Sequence, residues 1–113
     1  MDLSAIAILT TTIALNAAVG LADLLRARFV LANSAAVDVP PGWLPVLGAL
    51  KLAGAAGLLM GLFGVRALGV AAAIGLVLFF AGAIAVHVRA RAFATGAAPL
   101  AFLGLAVASL VVL

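Results

Sequence analysis

The chain contains no cysteine and no tyrosine, and only three acidic residues and one histidine among its 113 residues. Without cysteine there is no disulfide framework, no thiol nucleophile and no thiolate metal ligand. Three carboxylates and one imidazole are too few for a metal site built by the protein, so none is expected. Charge is scarce altogether: 8% of residues are Asp, Glu, Lys or Arg, against about 25% in soluble domains. The six Lys and Arg residues are scattered and form no basic stripe, which argues against nucleic acid as a partner.

What the chain has in abundance is apolar surface. Hydrophobic residues make up 69% of it and the mean hydropathy is +1.50. A domain this small leaves much of its surface in contact with solvent, so in water that surface would have nowhere to go. The solvent it suits is the interior of a lipid bilayer.

A crossing helix needs about 20 apolar residues, with roughly 17–25 tolerated. Four stretches meet this: residues 3–25, 43–64, 67–88 and 97–113, the last of them short. The sequence therefore predicts an all-α protein, a four-transmembrane-helix antiparallel bundle forming a single integral membrane domain. The first stretch lacks a basic leading segment and carries Asn16 and Asp23, which suits a retained helix better than a signal peptide. The turn at residues 65–66 forces a hairpin. In the long first connection, Pro40-Pro41-Gly42 stops any helix before Trp43, a residue suited to a membrane interface. Arg26, Arg28, Arg89 and Arg91 fall in the two connections on one side, whereas the other side has Arg66 and the termini. The positive-inside rule then places both termini outside a plasma membrane of the bacterial inner-membrane type.

The polar residues inside these stretches are patterned. Thr12, Asn16, Gly20 and Asp23 are spaced four, four and three apart, on one stripe of the first helix. Gly48, Lys51 and Ala55 form a stripe on the second, and Phe80, Ala83 and His87 on the third. Lys51 lies eight residues past Trp43, about 12 Å deep at 1.5 Å per residue. An ionisable group at the centre of a membrane helix costs about 2.5–3.5 kcal/mol on insertion scales, so it normally faces a partner or a cavity. Asp23 is the acid nearest to such a lysine along the stripes, and it is the expected partner of Lys51 or His87. Other readings stay open: Lys51 snorkelling to the headgroups, Asp23 pairing with Arg26, His87 as an interfacial residue, and the Thr12–Asn16 stripe as helix-to-helix glue. Gly57 and Gly61 form a GxxxG pair that favours close packing and a homodimer.

These residues carry a family resemblance. Gly20-Leu21-Ala22-Asp23-Leu24-Leu25, Pro40-Pro41-Gly42-Trp43-Leu44-Pro45, the run from Leu47 to Ala55, and His87-Val88-Arg89 together resemble the DoxX-like family over nearly the whole chain. The resemblance implies a small four-helix membrane protein. Related proteins include a subunit of a thiosulfate:quinone oxidoreductase and a membrane partner in an oxidative-stress complex.

Two functions are expected from the residues. In the first, a lipophilic small molecule, quinone or terpenoid in kind, sits among the helices. Asp23, Lys51 and His87 are then the candidate catalytic groups for acid–base chemistry such as isomerisation, epoxide opening or cyclisation. Thr12, Asn16, Gly20 and Phe80 are candidate ligand contacts, with Phe79 and Leu59 as apolar walls. No covalent cofactor is expected; a bound quinone would supply any redox chemistry. In the second, the protein is a non-catalytic subunit or scaffold of a redox or stress-response complex, partnered by another membrane protein or by a second copy. Transport by four short helices is a weaker third.

Overall fold

A computed structural model describes every residue, Met1–Leu113. It is all-α, with five helices: α1 (Leu3–Leu24), α2 (Arg28–Ala36), α3 (Leu44–Leu62), α4 (Arg66–Arg89) and α5 (Ala97–Val112). Single turns of 3₁₀ helix precede α3, at Pro41–Trp43, and α5, at Phe93–Thr95. Helix α1 packs on α3, α3 on α4, α4 on α5, and α5 returns to α1 along a looser seam. The molecule is elongated, 40 × 24 × 19 Å.

Local chemistry explains where the helices begin and end. Asp2 caps α1 by accepting a 2.8 Å hydrogen bond from the Ala5 amide, satisfying one of the orphan donors of the first turn. Helices α1 to α4 all finish the same way. An amide just past the helix reaches back five residues: Ala27 to Ala22, Val39 to Ser34, Val65 to Met60 and Ala92 to His87. The residue before that amide turns left-handed, namely Arg26 (φ 52°), Asp38 (φ 59°), Gly64 (φ 107°) and Arg91 (φ 54°). Only Gly64, in the tight α3–α4 turn, has no side chain to crowd that conformation.

Three helices are long and apolar enough to cross a membrane: α1, α4, and α3 with its preceding turn. Helix α5 is apolar but only 16 residues long, about 24 Å against a hydrocarbon thickness of about 30 Å. Helix α2 departs from the expectation for residues 26–42, where prolines were to leave only a connection. Pro40 and Pro41 do end regular structure, but they follow a nine-residue helix rather than preventing it. Its Val30 and Ser34, with Val37 just beyond, are buried and share one face. That face lies across the end of the bundle bearing Arg26, Arg28, Arg89 and Arg91.

Packing inverts the pattern of a water-soluble protein. Large apolar side chains point outward, among them Leu3, Phe63, Leu78 and Val111, while Thr12, Asn16, Asp23 and Ser109 are buried. The apolar core is small, formed by Leu9, Leu58, Ala73, Leu76, Phe80 and Ala106. Between α1 and α3 the backbones meet at Gly20 and Gly48: a Cβ on Gly48 would stand 2.6 Å from the Gly20 carbonyl oxygen. Between α3 and α4 they meet at Gly61 and Gly69. Gly57 lies against Ala72 of the same chain, so the GxxxG pair is used within the hairpin. Small residues of this kind let helices approach closely in the absence of a hydrophobic driving force.

Candidate functional site

Close approach of α1 to α3 has a consequence for Lys51. It sets the lysine Cβ beside Gly20, one turn from Asp23. Helical side chains lean toward their own N-terminus, and in α3 that direction is toward Asp23. The Lys51 Nζ donates to Asp23 Oδ2 at 2.6 Å, with the side chains 12% and 3% exposed. This is the one salt bridge in the structure. The ammonium also lies 5.4 Å from the centroid of the Phe79 ring, within the range of a cation–π contact.

The pair forms part of the wall of a cavity of about 480 Å³ at the arginine-rich end. Helix α2 roofs it with Phe29, Val30, Asn33 and Ser34. Its apolar walls include Trp43, Phe79, Phe80 and Phe102. Phe80 meets Phe79 edge-on at 5.0 Å and Phe102 at 5.2 Å, so the rings brace one another. His87 completes the polar lining from α4. Its Nδ1 lies 2.8 Å from the Ala83 carbonyl oxygen. A carbonyl can only accept, so Nδ1 donates there, and Nε2 is the ring nitrogen left free to meet a guest in the cavity. No arginine lines the cavity, and its two formal charges, Asp23 and Lys51, cancel.

Of the residues expected at a site, Asp23, Lys51, His87 and Phe80 line this one cavity, as does Phe79. Thr12, Asn16 and Gly20 do not line it. Gly20 is used up in the α1–α3 contact. Thr12 and Asn16 continue the same stripe of α1 away from the cavity. Thr12 Oγ1 donates to the Ile8 carbonyl at 2.8 Å and accepts from Ser109 Oγ of α5 at 2.9 Å. Asn16 Nδ2 donates to the Thr12 carbonyl at 2.9 Å, and its Oδ1 is buried with no partner. Leu59, expected as a wall, is 40% exposed on the outer face of α3. Asp23 pairs with Lys51 rather than Arg26, whose side chain is exposed.

The lining residues that sequence reasoning missed include Phe29, Asn33 and Ser34 of α2, Thr95 in the turn before α5, Phe102 of α5, and Trp43, which was expected only as an interface residue. A period-3.6 pattern of Val30, Ser34 and Val37 was available as a signal, but the helix is too short for it to stand out. Nowhere do three or more His, Asp or Glu side chains cluster in a way that could hold a metal ion.

Apolar helices, outward leucines and an inward ion pair define a helical membrane protein in contact with the lipid bilayer, with an ion-paired cavity near one end. The chain belongs to the DoxX-like family, whose model matches residues 7–109. That match takes in all five helices apart from the first residues of α1 and the last of α5. No curated protein and no solved structure matches the chain.

Proposed function

We propose that the cavity beneath α2 binds an uncharged lipophilic small molecule, quinone or terpenoid in kind. The observation that carries this reading is the Lys51–Asp23 pair in the wall of a largely apolar cavity. Ligand sites of membrane and soluble bundles alike have this form, apolar walls with a few placed polar groups. The apolar body of the ligand lies against Phe80, Phe102 and Trp43. Its oxygen accepts from the Lys51 ammonium, which has N–H donors beyond the one spent on Asp23. A ligand hydroxyl on the other side donates to His87 Nε2. Proton transfer is the chemistry this set of groups supports, in an isomerisation, an epoxide opening or a cyclisation, with His87 or Asp23 as acid or base. A bound quinone would add redox chemistry of its own. In this reading all of α1, α3, α4 and α5 cross the membrane, with α5 helped by tilt or local thinning. The cavity then faces the cytoplasm, because it lies at the end of the bundle that carries Arg26, Arg28, Arg89 and Arg91.

The test uses Trp43, the only tryptophan, whose ring lines the cavity. Menadione added to the purified protein should quench its fluorescence saturably, and a non-absorbing terpenoid alcohol should reverse the quenching. Lys51→Leu and His87→Ala should each weaken binding while helix content and detergent-solubilised size stay the same. If Lys51→Leu binds as tightly as the parent, the cavity is not the ligand site and the scaffold reading gains.

A further inference from the structure

The Lys51 ammonium sits between a carboxylate at 2.6 Å and an aromatic face at 5.4 Å, in a cavity walled by more rings. A carboxylate with aromatic faces around it is the general recognition chemistry for an organic cation. Here the cation is supplied by the chain itself, tethered through α3. We infer that Lys51 is the charge-selecting residue of the cavity: it fills the cation position, leaves the cavity neutral and so keeps charged lipophiles out. This deepens the proposal of an uncharged ligand and rests on the cavity being a ligand site.

The physical basis lies in what each half of the pair does without the other. Asp23 is 2% exposed, and a buried carboxylate that loses its partner is left uncompensated. With the amine removed, a lipophilic cation entering the cavity restores both the ion pair and the contact with Phe79. The reverse holds for the lysine: with the carboxylate neutralised, the ammonium requires an anion. Intact, the pair offers neither. A charged guest would have to break a contact already made and then leave the displaced charge unpaired in an apolar wall.

The probes are tetraphenylphosphonium and tetraphenylborate, nearly identical in shape and opposite in charge. Binding is measured by equilibrium dialysis on the detergent-solubilised full chain. Lys51→Met should bind tetraphenylphosphonium at least about tenfold more tightly than the parent does. Lys51→Arg, which keeps a cation in place, should not. Asp23→Asn should gain tetraphenylborate by a similar factor, and the double variant Asp23→Asn with Lys51→Met should gain neither ion. Either single-variant gain, reversed in the double variant, supports the inference. It is overturned if neither single variant gains its ion, or if the parent already binds tetraphenylphosphonium as well as Lys51→Met does. Menadione quenching of Trp43 in the parent reports separately on whether the cavity takes a neutral ligand. A failed charge test with intact quenching therefore removes the selectivity and leaves the site.

Discussion

Replacing Gly48 with alanine adds one methyl group where α1 and α3 touch. The new Cβ would lie 2.6 Å from the Gly20 carbonyl oxygen and 2.9 Å from the Asp23 Cβ. The first of these is backbone, so no rotamer change relieves it. To reach an ordinary contact of 3.4 Å the two helices must separate by about 0.8 Å at this point. Overpacking of this kind costs about 1–3 kcal/mol. Alanine has the better helix propensity, by up to about 1 kcal/mol, but membrane helices persist in the denatured state in detergent and little of that gain is realised. The net expectation is a loss of about 1–2 kcal/mol. Gly75 supplies the control, since a Cβ there meets nothing within 4 Å, and Gly75→Ala should not lower stability. The assay is equilibrium unfolding in mixed micelles of increasing SDS content, followed by circular dichroism and Trp43 fluorescence. Gly48→Ala unfolding at the same SDS fraction as the parent would refute the close α1–α3 approach, and with it the placement of Lys51 beside Gly20.

Further outcomes follow from the same structure. Removing one member of the ion pair, by Lys51→Met or Asp23→Asn, should cost about 3–5 kcal/mol, whereas the double variant should recover most of it; a double-mutant cycle with no coupling would deny the pair. Asn16→Leu removes both the 2.9 Å bond from Nδ2 to the Thr12 carbonyl and a buried oxygen without a partner, two effects that oppose each other, so it should change stability by less than about 1 kcal/mol; a larger loss would contradict an unpartnered oxygen. Ser109→Ala should cost about 0.6 kcal/mol, the usual worth of one hydrogen bond between membrane helices, and no change would mean that Ser109 and Thr12 do not meet. Arg26→Gly should stabilise by up to about 1 kcal/mol by relieving the left-handed backbone; the SDS titration reads all four.

The legible part of the site was its stripes. Asp23, Lys51 and His87 could be placed on inward faces because polar side chains at helical spacing do not choose lipid as a neighbour, and the segments that carried the family resemblance contain the same three residues. Thr12 and Asn16 share that stripe yet lie apart from the cavity. Periodicity fixes an angle around a helix and not the depth at which a neighbouring helix gives way to open space. Helix α2 escaped for a different reason: nine residues with one buried valine turn carry too little pattern to outweigh the prolines after them.

Composition alone determined that lipid surrounds this chain, because no packing of 113 residues hides that much apolar surface from water. Helical spacing likewise determined which faces turn inward. The pairing of Lys51 with Asp23, rather than with His87 or the headgroups, was decided by the tertiary structure. It depends on two backbones meeting at Gly20 and Gly48, a contact between residues 28 positions apart that no local pattern encodes. The cavity too exists only in three dimensions, as the space left where five helices of unequal length fail to fill one end of the bundle.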